Sequence, residues 1–389
     1  MNELYTERIR KTPKSFIRDI LKVTQDKEII SFAGGLPNPV SFPQETLKES
    51  MNRVVMEEGA RTFQYSTTEG LRNLREYIAE SYWRRHKLEV TAEDILITTG
   101  SQQGIDLMGK VLIDRGDEIL MEEPGYLGAI QAFGLYEPKI VQVKLQEDGL
   151  DTKQLEQELK QKKIKLMYTV PNFQNPTGLT YSVQNRQEIS EVLSDYPCIL
   201  IQDDPYGELS FDGEEYPYIM LKDQNNMVLF GSFSKIVTPG MRLGWICTKN
   251  KELMSHLVTA KQASDLHTNI FSQYLINDYL RHNDLKLHIK QIRNLYKAQC
   301  HTMLESIDRY FPEAVSVTRP RGGMFLWMTL PEGQSSMELF NRALERQVAF
   351  VPGNPFYVTD GVYSTMRLNY TNSSTEMIEE GIKRLAQAL

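Results

Sequence analysis

Between about residues 70 and 260, short apolar runs alternate with longer stretches of helical, charged character. The runs fall at 95–98 (ILIT), 118–123 (EILMEE), 140–145 (IVQVKL), 166–170 (LMYTV), 199–203 (ILIQD), 228–233 (VLFGSF) and 243–248 (LGWICT). Most are apolar on successive residues, the pattern of strands buried on both faces of a largely parallel sheet. Stretches such as 151–163 and 184–195 read as the intervening helices. The expected class is therefore α/β, with seven strands in a mostly parallel sheet.

The pattern changes near residue 285. A long helical stretch is followed by strand-like VSVTRP, GGMFLWMTL and STMRLNY, with helices expected at 335–347 and 375–388. This predicts a smaller α+β domain. The first forty residues hold one amphipathic helix, SFIRDILKVT, and the turn-rich GGLPNPVSFP. They are expected to join the small domain or to cover the active site. The division is then 1–45, 46–280 (large domain) and 281–389, with the small domain discontinuous in sequence.

Composition narrows the function classes. The 389 residues are 41% hydrophobic and 24% charged, ordinary values for a globular chain. A formal charge of −7 leaves no basic excess for a nucleic-acid footprint. Cys198, Cys247 and Cys300 are far apart and form no CxxC pair, so neither a disulfide framework nor a structural zinc site is expected. The six histidines show no metal-ligand spacing. No apolar stretch is long enough to span a membrane and no secretory h-region is visible, so a cytoplasmic location is expected.

Four segments carry candidate chemistry. In GSFSKIVTPGMRLGW (231–245), Lys235 follows a strand end, with hydroxyls beside it and Arg242 seven residues on. That arrangement suits a Schiff-base lysine next to a phosphate gripped by several donors. In ILIQDDPY (199–206), Asp203 ends a strand and Tyr206 lies three residues later. A carboxylate there can hold a protonated pyridine nitrogen while the tyrosine reaches a ring oxygen. In VPNFQNPTG (170–178), Asn175 can hydrogen-bond the same oxygen. In ITTGSQQGIDLMGKVL (97–112), Ser101 and Gln102 open a helix, where backbone N–H groups favour an anion. Each segment also has an ordinary explanation: a surface lysine, an Asx turn at Asp204-Pro205, a plain NPTG turn, an N-cap serine.

Taken together, these segments occur in the order and spacing of the class I/II (fold-type I) aminotransferases, which depend on pyridoxal 5'-phosphate (PLP). The resemblance extends through ISFAGGLPNP, FQYSTTEGLRNLRE, KQASDLHT, RPRGGMFLWM and STMRLNY, and so covers nearly the whole chain. It is nearest to the 2-aminoadipate and kynurenine/aminoadipate subgroup. It is also similar to the catalytic-like half of MocR-type regulators, without their winged-helix extension.

The resemblance implies that Lys235 carries the cofactor covalently and later shuttles the substrate proton. Asp203 would hold the pyridinium, Tyr206 and Asn175 the 3-oxygen, and Tyr126 would stack on the ring. Ser101, Gln102, Ser232, Ser234 and Arg242 would grip the phosphate, joined by Tyr65 from the neighbouring subunit of a homodimer. Arg367 would take the substrate α-carboxylate through a bidentate pair, with Asn175 assisting and the Gly35 backbone close by. Arg18, with Ser15 before it on the N-terminal helix, falls where the subgroup meets a distal carboxylate. The implied reaction is ping-pong transfer of an amino group from 2-aminoadipate, an aromatic or an aliphatic amino acid to a 2-oxo acid such as 2-oxoglutarate. A PLP-dependent β-lyase and a non-catalytic PLP-sensing domain are the alternatives, since one scaffold serves several chemistries.

Overall fold

The computed structural model describes residues 4–12, 20, 28–359 and 361–389. The seven expected strands are all present: β2 (Ile95–Thr98), β3 (Glu118–Glu123), β4 (Lys139–Gln146), β6 (Ile164–Thr169), β7 (Ile199–Asp203), β8 (Met227–Ser232) and β9 (Gly244–Cys247). They form one sheet with a short additional strand, β5 (Gly149–Leu150), in the order β2-β9-β8-β7-β6-β3-β4-β5. The sheet thus has eight strands rather than seven. Two residues are too few to show any periodicity, and β5 exists only because the chain folds back antiparallel on β4.

The strands β8, β7, β6, β3 and β4 pair in parallel, and β9 is antiparallel to both of its neighbours, β2 and β8. It follows that β2, β3, β6, β7 and β8 all run the same way and end along one edge. Consecutive apolar residues made this possible: every residue of β2 and β8 is buried, because helices cover both faces. The helices begin where the sequence supplies acceptors for their free N–H groups. Asp151, Ser182, Asn250, Asn269 and Asp284 each cap one.

A second sheet is wholly antiparallel, in the order β10 (Ser316–Val317), β11 (Phe325–Thr329), β14 (Thr365–Asn369), β13 (Val351–Pro352). The helices Leu285–Tyr310 and Thr375–Ala388 pack together in this C-terminal part. A two-residue strand near the N-terminus, β1 (Ile30–Ser31), pairs in parallel with β12 (Val348–Ala349). The Phe32 carbonyl also accepts from Asn369 N at 2.8 Å. These contacts tie the segment from residue 30 to β12 and β14, and residues 33–35 reach the Arg367 and Lys235 side chains.

Candidate active site

The strand ends converge on a cavity of ≈ 490 Å³. Gly100, Ser101 and Gln102 follow β2, Tyr126 follows β3, and Asn175 follows β6. Asp203 ends β7 with Tyr206 just beyond it, and Ser232, Ser234 and Lys235 come at the end of β8. Arg242 enters just before β9, Arg367 from β14 and Gly35 from the N-terminal segment. A ligand crevice at the carboxyl ends of same-direction strands is where open α/β sheets bind.

Lys235 Nζ donates to the Gly35 carbonyl at 2.8 Å. Burial, followed by the charges of Arg367 and Arg242, draws its pKa down to about 8. A share of the amine is therefore neutral near pH 7, the state a nucleophilic lysine needs. Burial pushes the Asp203 carboxyl up to about 6, although the Tyr168 hydroxyl, donating to Oδ2 at 2.7 Å, acts in the other direction.

The Arg367 guanidinium is buried. Its Nη1 donates to Asn175 Oδ1 at 2.8 Å and its Nη2 to the Ala33 carbonyl at 2.7 Å. Its Cζ lies 4.5 Å from the ring centre of Phe325 and 5.3 Å from that of Phe356, so aromatic faces fix its plane. Burial lowers its pKa to about 10, which leaves it charged at neutral pH.

Three buried polar atoms here lack a well-formed hydrogen bond: Arg367 Nε, Asp203 Oδ1 and Ser101 Oγ, the last close enough to the Asp203 carboxylate to oppose the rise in its pKa. Buried polar groups are rarely left so. One acidic, one hydroxyl and one cationic group waiting in a single cavity fit a ligand with a protonated ring nitrogen, a phosphate and a carboxylate. The turn beside Ser101 is also shaped for close approach. Gly100 has φ +76°, and a Cβ there would come within 2.7 Å of Arg242 Nη2.

Twelve of the residues singled out from sequence line this cavity: Lys235, Asp203, Tyr206, Ser101, Gln102, Tyr126, Asn175, Ser232, Ser234, Arg242, Arg367 and Gly35. Tyr65 does not. It is 79% exposed, and its ring stands edge-on to that of His267 at 5.8 Å between ring centres. Arg18 and Ser15 lie outside the described residues. Asp204, read as a turn residue, accepts from Gly207 N at 2.8 Å. Residues the sequence reading passed over include Tyr168, a tyrosine within an apolar strand, and the paired Phe325 and Phe356. Nothing in their local pattern separates them from core aromatics.

The family model for aminotransferase class I and II matches residues 35–385. The aromatic-amino-acid aminotransferase 1 of Thermococcus litoralis is 41% identical, over 99% of this chain and 94% of its own. The 2-aminoadipate transaminase of Thermus thermophilus is also 41% identical, over 96% and 94%. Among solved structures, an alpha-aminoadipate aminotransferase from Thermus thermophilus, complexed with N-(5'-phosphopyridoxyl)-L-leucine, superposes with a TM-score of 0.93. That pair shares 39% identity, over 100% of this chain and 97% of the other. A match of this breadth, over a cavity already shaped for a phosphorylated pyridine and a carboxylate, has one meaning: the chain belongs to the class I and II aminotransferases, enzymes of fold type I whose cofactor is pyridoxal phosphate.

Proposed function

We propose that this aminotransferase moves the amino group of 2-aminoadipate, an aromatic or an aliphatic amino acid to a 2-oxo acid, with 2-oxoglutarate as the acceptor. Donor and acceptor would use the one cavity in turn, a ping-pong scheme. The observation that carries the reading is the convergence of Lys235, Asp203 and Arg367 on a single cavity. The relatives that act on aromatic amino acids and on 2-aminoadipate support the donor class.

Bound pyridoxal phosphate supplies a conjugated ring that takes up the electron pair released when the Cα–H bond breaks. The chain's own groups would do the rest. Asp203 would keep the ring nitrogen protonated, its charge favoured once a cationic partner meets Oδ1. Tyr206 and Asn175 would hold the ring oxygen, and Tyr126 would cover one face. Ser101, Gln102, Ser232, Ser234 and Arg242 would grip the phosphate. Arg367 would bind the α-carboxylate through its fork, held in plane by Asn175, Phe325 and Phe356. With the carboxylate fixed and the Gly35 backbone alongside, Lys235 would hold the cofactor covalently and then carry the proton to and from Cα.

The phosphate grip would be completed by Tyr65 of a second subunit. Exposed apolar side chains support a homodimer: Met51, Val55, Met56, Phe63 and Tyr65 are all exposed within one short stretch of chain. Arg18, with Ser15, remains the proposed partner of a distal carboxylate, and the 1–45, 46–280 and 281–389 division belongs to the same reading. The three cysteines are free and buried, compatible with a reducing compartment such as the cytoplasm. Among the described residues no helix is long and apolar enough to cross a membrane.

The test mixes PLP-loaded protein with single amino acids and ranks how fast each converts the pyridoxal to the pyridoxamine spectrum. Conversion by 2-aminoadipate or aromatic donors, reversed by 2-oxoglutarate, is expected. Arg18→Ala should slow acidic donors more than aromatic ones. Conversion by none would overturn the reading, and ammonia released without an oxo acid would indicate a lyase.

A further inference from the structure

Behind the turn that precedes Ser101 lies a buried lysine that no role above uses. Lys261, on the helix Lys251–Ser264, has no exposed surface. Its Nζ donates to Asp265 Oδ1 at 2.8 Å and Oδ2 at 3.0 Å, to Gln103 Oε1 at 2.9 Å and to Thr268 Oγ1 at 3.0 Å. Burial pulls its pKa down and Asp265 opposes this. A buried ammonium persists only with such complete pairing.

Gln103 is the joint of this network. Its Oε1 also accepts from Thr99 N at 2.8 Å, and its Nε2 donates to Asp265 Oδ2 at 2.7 Å. With two donors at its oxygen and a carboxylate at its nitrogen, the amide has a single acceptable orientation. The Thr99 N–H is thereby held from behind. Thr99 leads into Gly100, which caps the helix Ser101–Leu112 without a side-chain acceptor. The Thr99 carbonyl also lies 3.4 Å from Arg242 Nη2, which donates to it. Holding Thr99 therefore fixes both the helix start and the guanidinium across from it.

We infer that Lys261, acting through Asp265 and Gln103, is a positioning residue for the cofactor phosphate. The inference rests on the phosphate grip proposed above, and it adds a requirement in residues that never touch the cofactor. Because Lys261 and Asp265 neutralise each other, the contribution is geometric. It sets where the first N–H groups of the helix and Arg242 stand, rather than adding attraction for the dianion.

The test titrates apoprotein with PLP and, separately, with pyridoxal, which lacks the phosphate. Two variants are compared with wild type: Lys261→Met, and Lys261→Met with Asp265→Asn, which leaves no unpaired carboxylate if the single variant fails to fold. PLP affinity should fall about tenfold in the variant that folds, the worth of one lost buried hydrogen-bond tie. Pyridoxal affinity should be unchanged. Equal losses for both ligands, or no loss for either, would overturn the inference. Wild type that binds pyridoxal as tightly as PLP would instead overturn the phosphate grip beneath it.

Discussion

Glu122 offers a sharp test of how burial and hydrogen bonding compete near this site. The carboxylate is 1% exposed, at the end of β3. Its Oε1 accepts from Val170 N at 2.8 Å and from the Tyr181 hydroxyl at 2.7 Å, and its Oε2 accepts from Gln174 Nε2 at 2.8 Å. Gln174 cannot turn over, since its own Oε1 accepts from Thr177 N at 2.9 Å and Thr177 Oγ1 at 2.7 Å. In Glu122→Gln the new amide nitrogen must face either Val170 N–H or the Gln174 amide, both donors. One buried donor is left unsatisfied, at a cost of roughly 1–3 kcal/mol.

Against that stands the charge. Burial raises the Glu122 pKa from 4.5 to about 7, even though its three donors pull it down. At about 1.4 kcal/mol per pH unit, keeping the group ionised in the folded state costs on the order of 3 kcal/mol above pH 7. The folded state holds the extra proton between the two values, so this group's contribution to stability is fully present below pH 4.5. It is lost as pH rises through 7. Glutamine has no such dependence.

The Glu122→Gln difference should therefore favour wild type most below pH 4.5 and move toward the variant by about 3 kcal/mol by pH 8, enough to cancel or reverse the destabilisation. The assay is urea unfolding of apoprotein, wild type and variant in parallel at one protein concentration, so that every other titration cancels in the difference. A difference that is flat with pH, or that moves toward wild type as pH rises, would refute the reasoning. It would mean that the hydrogen bonds outweigh burial and that Glu122 ionises at or below the ordinary value.

Two further substitutions test the ends of the cavity. Arg367→Lys keeps the charge but loses the planar fork between Phe325 and Phe356, and should raise the amino-acid concentration for half-maximal conversion by about 100-fold. PLP affinity should stay at its wild-type value, and a parallel loss of cofactor would contradict the assignment. Gly100→Ala forces a side chain into a φ of +76° and to within 2.7 Å of Arg242 Nη2. PLP affinity, titrated on apoprotein, should fall about tenfold, with unchanged binding as the refuting result.

The local chain determined a great deal here. Seven strands were legible because strands buried on both faces must be apolar at consecutive positions. The cavity was legible only through the family resemblance of its segments taken together, since each alone had an ordinary explanation; in the structure most of its residues lie at or beyond the ends of same-direction strands. Asp203 ends a strand and Lys235, Asn175 and Ser101 come after one, and the resemblance is what implied that they meet.

What the local pattern could not decide depends on which distant segments meet. TMRLN reads as a strand with Arg367 on either a wet or a dry face. It is buried throughout only because β11 and β13 flank it and the N-terminal segment covers it, placing Ala33 on the guanidinium. β5 needed β4 to exist at all. Glu122, Tyr168 and Lys261 look like ordinary strand and helix residues, and their chemistry is set by desolvation and by partners far along the chain. Burial of a charge is a property of the assembled fold, and no periodicity encodes it.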